Sequence, residues 1–85
     1  MKTLVATPDP EKFNIHDQPT WIALGIGAIQ RNRRLHPIDV FQVSRELDTA
    51  WVDFRWNFEL FRACLVKTDG TGIGRVVYID PLDLF

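Results

Sequence analysis

The stretch Val52-Asp-Phe-Arg-Trp-Asn-Phe-Glu-Leu60 decides the class of fold. Every even-numbered residue in it is apolar and every odd-numbered residue is polar. Such alternation in an aromatic-rich segment is typical of a β-strand with one buried and one solvated face. A helix would leave Val52, Trp56 and Leu60 on the outside, so we predict a strand. The adjacent apolar residues Leu60 and Phe61 interrupt the alternation, which predicts a bulge or bend there.

Two more strands are predicted after this stretch and one before it. Residues 63–67 resume as an apolar strand, residues 69–72 (Asp-Gly-Thr-Gly) form a hairpin turn signal, and residues 75–79 return antiparallel. Near the start of the chain, residues 3–7 favour a short strand that the Pro-Asp-Pro turn at residues 8–10 ends.

A first helix is predicted over the apolar run of residues 21–29. Asp17 is a suitable N-cap, and Pro19 is tolerated in the first turn. Gly25 and Gly27 weaken a helix by about 1 kcal/mol each, which suggests that another element approaches the backbone closely there. A buried strand is the alternative for this run, and we favour the helix.

A second helix is predicted from residue 38 to about residue 48. Val40, Val43 and Leu47 recur at spacings of three and four, with charged residues elsewhere in the segment. We therefore expect an α+β fold in which two helices pack on one face of a three- or four-stranded antiparallel sheet. Residues 1–85 are expected to form a single domain.

Cys64 is the only cysteine, which bears on both stability and compartment. No disulfide can form within one chain, and a chain of 85 residues buries a modest share of its surface. Self-association is then the remaining means of added stability. One cysteine suits a reducing cytoplasm. The longest apolar stretch, residues 21–29, is about half the length that a bilayer requires, so we expect no membrane span.

No cofactor, metal or nucleophile motif is recognisable. The glycines of residues 70–74 precede Arg75 where a dinucleotide-binding loop needs another glycine. Cys64 could act as a nucleophile only beside His16 or His36, and it lies in an apolar strand, as an inert buried thiol does. The same three residues are too isolated in sequence to predict a metal site.

Alternating carboxylates supply the remaining candidate for acid–base chemistry. Asp53 and Glu59 would lie on the polar side of a strand, where general acid–base work is conceivable. Cross-strand pairing with Arg62 or Arg75 on a solvated face accounts for them more simply. We therefore expect a non-enzymatic protein that binds no cofactor.

The aromatic content carries the leading functional hypothesis. Three Trp and six Phe are too many for the interior of so small a chain, and exposed aromatics with arginine are typical of interfaces. The candidate interface residues are Trp51, Phe61, Phe41 and Phe85. We expect an interaction protein that forms a homo-oligomer or binds another protein.

Two alternatives involve other ligands. A small apolar molecule would fit a cleft between helices and sheet framed by Gly25, Gly27 and the tryptophans. Nucleic acid would bind Arg31, Arg33 and Arg34 through its phosphates. The net charge of −1 and the suitability of arginines for a helix C-terminus weigh against nucleic acid.

Overall fold

The fold is an α-helix packed on a five-stranded sheet. The computed structural model describes residues 11–68, 72 and 74–82. The strands follow one another in the sheet in sequence order, and each pair is antiparallel. A 3-10 helix, Ile15–Asp17, precedes helix α1, Thr20–Asn32. The strands are β1 Glu11–Lys12, β2 Asp39–Glu46, β3 Thr49–Trp56, β4 Glu59–Lys67 and β5 Gly74–Pro81.

The predicted α+β class and the antiparallel sheet are confirmed, whereas the number of elements was wrong. The described part of the chain has one α-helix rather than two, and five strands rather than three or four. The strand expected at residues 3–7 and most of the turn at residues 69–72 lie outside the described residues. No helix among the described residues is long and apolar enough to cross a membrane.

The predicted second helix is strand β2, and a bulge explains the error. Val40 pairs with β3 at one position and Gln42 at the next, so Phe41 is an extra residue in the ladder. The extra residue shifts the side-chain alternation by one, and Val40 and Val43 therefore both pack towards the core. Their three-residue spacing imitates a helix. Leu47 is 95% exposed in the following turn.

The alternating stretch is two strands joined by a turn rather than one strand. Trp56 pairs with Glu59 across the two-residue turn Asn57-Phe58. Each pair joins an even-numbered residue to an odd-numbered one, for example Val52 of β3 to Ala63 of β4. Since paired residues lie on the same face of the sheet, the core-facing residues are even-numbered in β3 and odd-numbered in β4. This change explains the slip at residues 60–61, and the pairing of β3 with β4 contains no bulge.

Phe58 gives the first testable prediction, because it holds a turn position that favours glycine. Its φ is 68° and its side chain is 98% exposed. A left-handed conformation costs a residue with a Cβ about 1 kcal/mol. We expect Phe58→Gly to raise the melting temperature by about 4 °C or more. Phe58→Ala retains the Cβ and should change it little; equal effects of both variants in a thermal melt would contradict this account.

Helix α1 confirms the helical interpretation of residues 21–29, but its start differs from the prediction. Pro19 occupies the N-cap position without a side-chain cap, and Asp17 ends the 3-10 helix instead. Gly25 does allow a close approach, since a Cβ there would lie 2.9 Å from Leu65 Cδ1.

The hydrophobic core lies between α1 and one face of the sheet. From α1, Ile22 and Ile29 are completely buried. The sheet contributes apolar side chains from four of its strands, β2 to β5. The fully buried core residues of the sheet are Ala50, Val52, Phe54, Ala63 and Leu65. Because these positions alternate along their strands, the residues between them lie on the other face of the sheet, which we call the outer face.

Candidate interaction face of the sheet

Strand register arranges the outer face in four rows, three of which run from β2 to β5. The shorter fourth row, Asp39, Arg55 and Leu60, lies beside the β3–β4 turn and ends at β4. The first row is Glu46, Thr49, Val66 and Arg75. The second, which we call the aromatic row, is Ser44, Trp51, Cys64 and Tyr78. The third, which we call the charged row, is Gln42, Asp53, Arg62 and Asp80. Cross-strand neighbours in a sheet have Cβ atoms about 5 Å apart, so each row is continuous.

Asp53 is the buried centre of the charged row. It is 1% exposed, and its carboxylate accepts three hydrogen bonds. Arg62 donates from Nε to Oδ1 at 2.7 Å and from Nη2 to Oδ2 at 3.0 Å. Gln42 donates from Nε2 to Oδ2 at 2.6 Å. Of the two partners predicted for Asp53, Arg62 and Arg75, Arg62 is the one present, but the carboxylate is buried rather than solvated as predicted. The hydrogen bond to Asp53 raises the pKa of Arg62 even though burial opposes it.

The aromatic row alternates small and large side chains. Ser44 and Cys64 are 4% and 7% exposed, whereas Trp51 is half-buried and Tyr78 is 37% exposed. Burial raises the pKa of the Cys64 thiol, and its interaction with Tyr78 offsets part of that rise. Burial also raises the pKa of Tyr78, with a contribution from Cys64, while the Trp51 indole acts in the opposite direction.

These two pKa shifts predict that the fold loses stability in alkali. The ordinary values are 9.0 for the thiol and 10.0 for the phenol. Both groups hold their protons more tightly when folded, so their contribution is complete below pH 9 and declines as the pH rises through the folded-state values. We expect the urea midpoint to fall above pH 9 and Cys64→Ala to lessen the fall. A midpoint unchanged between pH 8 and pH 11 would contradict the shifts.

The predicted interface residues are not on one surface. Trp51 lies on the outer face, whereas Phe61 lies on the side of α1, where its ring stacks on Phe54 at 5.6 Å between centroids. Phe41 is the half-buried bulge residue of β2. Phe85 lies outside the described residues. Of the predicted interface residues that the structure describes, Trp51 is the one that lies in the aromatic row.

The predicted arginine cluster surrounds the end of α1. Arg31, Arg33 and Arg34 are exposed, and Arg33 is the C-cap residue of the helix. The two histidines make local hydrogen bonds: the His16 backbone N–H donates to Asn14, and His36 Nδ1 lies 3.0 Å from Gln30 Oε1. No cluster of His, Cys, Asp or Glu in the described ranges could hold a metal ion.

A groove of about 420 Å³ does lie between the helix and the sheet, but its frame differs from the predicted one. Ala28 and Val76 are among the residues that line it. Gly25 instead adjoins Leu65, and Gly27 lies beneath the Arg31 guanidinium. Gly25 therefore serves the packing of the helix on the sheet, whereas Gly27, contrary to the prediction, meets no other element; neither glycine lines this groove.

Sequence reasoning missed Tyr78, Gln42 and Ser44 as members of the candidate site. Tyr78 lay in a predicted strand, but its face depends on a bulge between β4 and β5. Gln42 and Ser44 lay in the segment predicted as a helix. Strand register is what places these three residues on the outer face, and register is known only when the pairing partners of each strand are known.

No protein-family model, curated protein or solved structure matches the chain.

Proposed function

We propose that this chain is a small non-enzymatic interaction protein that self-associates through the outer face of its sheet. The observation that carries the proposal is the aromatic row, in which Trp51 and Tyr78 stand above the buried side chains of Ser44 and Cys64. Tryptophan, tyrosine and arginine are the residue types most enriched among interface hot spots. Arg62, in the adjacent row, supplies the arginine.

The charged row supports the proposal because its geometry is fixed before any partner arrives. Arg62 is held by two hydrogen bonds to Asp53, and Gln42 by a third. Side chains that are already ordered lose less entropy on binding, so more of the contact energy appears as affinity. A pre-ordered polar row beside an aromatic row suits a docking surface.

The free edge of β5 is a less suitable docking site. Cys64 pairs with Tyr78 and Leu65 pairs with Val76, so Val77 is an extra residue in β5. Bulges of this kind interrupt the edge of a sheet and discourage the addition of another strand. Association through the outer face avoids this interruption.

The test is a pair of matched lysine substitutions. Tyr78 is 37% exposed on the outer face, and Leu24 is 41% exposed on α1. We expect Tyr78→Lys to weaken self-association at least about tenfold, since burying an unpaired charge at an interface costs more than 1.4 kcal/mol. Leu24→Lys should leave the association unchanged. Sedimentation equilibrium measures both, with circular dichroism to verify the fold.

Equal association constants for wild type and Tyr78→Lys would overturn the proposal. A loss that is the same for Leu24→Lys would also overturn it, because association would then depend on general surface polarity rather than on the outer face.

A further inference from the structure

We infer that the outer face binds a second copy of the chain face to face, about a twofold axis that runs parallel to the strands between β3 and β4. The inference rests on the proposed function and adds the orientation of the partner. Rotation about such an axis keeps each row at the same height and reverses its order. Strand β2 then lies over the partner's β5, and β3 lies over the partner's β4.

The charged side chains of the three full rows are complementary under this rotation, whereas in the shorter fourth row Arg55 faces the partner's Leu60. Glu46 begins the first row and Arg75 ends it, so Glu46 faces the partner's Arg75. Both side chains are exposed, and neither forms an ion pair or a hydrogen bond within the part of the chain that the structure describes. In the charged row, Asp53 faces the partner's Arg62. Because the assembly is isologous, each of these contacts occurs twice.

The polar ends of the charged row also match. Gln42 begins the row and Asp80 ends it, which brings each amide to the partner's carboxylate. One N–H of Gln42 is bonded to Asp53. A side-chain amide has two N–H donors, so the second remains for the partner's Asp80. Every charged residue in the three rows therefore faces an opposite charge or a donor.

Side-chain size in the aromatic row favours the same axis. The row runs small, large, small, large, from Ser44 through Trp51 and Cys64 to Tyr78. In reversed order, Trp51 lies over the partner's Cys64 and Tyr78 lies over the partner's Ser44. Large side chains thus enter the low positions of the opposite face, as in sheets that pack about 10 Å apart.

A twofold axis perpendicular to the strands is the competing arrangement, and the face suits it less well. The aromatic row would meet itself in the same order, with Trp51 on Trp51 and Tyr78 on Tyr78. In the rows on either side, Arg75 would face Asp80, but Arg62 would face Val66 instead of Asp53. The strand-parallel axis pairs both the charges and the sizes.

A charge exchange tests the inferred axis. Glu46 and Arg75 are three strand spacings apart in one chain, about 14 Å, so the exchange breaks no contact within a monomer. We expect Glu46→Arg and Arg75→Glu each to weaken dimerisation at least about tenfold, because each places like charges together twice. The variant with both changes should recover to within about threefold of wild type. Glu59→Arg, an exposed change beside the β3–β4 turn, is the matched control and should have no effect.

The outcomes separate this inference from the proposed function. If both single variants weaken the dimer and the double variant does not recover, the strand-parallel axis is wrong even though the outer face is the interface. Recovery of Arg75→Glu by Asp80→Arg instead would identify the perpendicular axis and overturn the inference. If neither Glu46→Arg nor Arg75→Glu alters the dimer while Tyr78→Lys abolishes it, the inferred pairing is likewise wrong.

Discussion

Replacing Arg62 with methionine is expected to lower the free energy of unfolding by about 3 kcal/mol. The substitution removes two of the three hydrogen bonds to Asp53 and leaves a carboxylate that is 1% exposed with Gln42 as its remaining donor. A buried charge that loses its partner retains the full cost of leaving water. Urea unfolding at a concentration where the chain is monomeric measures the change.

The matched change on the other side of the pair should cost less. Asp53→Asn keeps the shape of the side chain, and Arg62, whose side chain is 32% exposed, can be solvated when it loses its partner. We expect a loss of about 1 kcal/mol. A loss for Arg62→Met no larger than that for Asp53→Asn would contradict the view that the buried carboxylate is the member of the pair that depends on its partner.

Gly74→Ala is expected to destabilise the fold by about 2–3 kcal/mol, because the methyl group would meet backbone. A Cβ at Gly74 would lie 2.7 Å from the carbonyl oxygen of Trp21 and 3.1 Å from its Cε3 atom. The backbone of α1 cannot yield without moving the rest of its buried face. Among the glycines that the structure describes, Gly74 is the one at which an added Cβ would lie closest to another atom.

Gly27→Ala is the matched control for that prediction. A Cβ there would meet only the end of the flexible Arg31 side chain, at 3.1 Å, and alanine favours a helix interior over glycine by about 1 kcal/mol. We expect Gly27→Ala to stabilise the protein by up to that amount. Destabilisation by both changes to a similar extent in urea unfolding would show that the helix–sheet contact is not the reason for Gly74.

The sequence predicted helix α1 and the strands that have clear alternation, because those patterns are local. It failed at β2, where the extra residue Phe41 gave Val40 and Val43 the spacing of a helix. It also read β3 and the start of β4 as one strand. The turn Asn57-Phe58 lacks the glycine that usually marks a two-residue hairpin, so the local signal was absent.

The candidate site was predictable only in part for the same reason. A cross-strand pair of Asp53 with Arg62 or Arg75 was expected, and Arg62 is the partner, but Glu59, predicted beside Asp53 in one strand, lies in the next strand. The face that each aromatic side chain occupies depends on the number of residues in the β3–β4 turn and on the bulges in β2 and β5. Local sequence patterns reveal neither. Trp51 and Phe61 consequently lie on opposite sides of the sheet. The rows that define the outer face emerge only when four strands are in register.

The mass of the wild-type chain in solution decides whether the chain self-associates. Light scattering on a size-exclusion column, from about 1 to 100 µM, spans the range in which a dimer with a standard-sized interface forms. We predict that the mass rises from 9.9 kDa towards twice that value, and that Tyr78→Lys prevents the rise. A mass that stays at 9.9 kDa over the whole range would contradict self-association through the outer face.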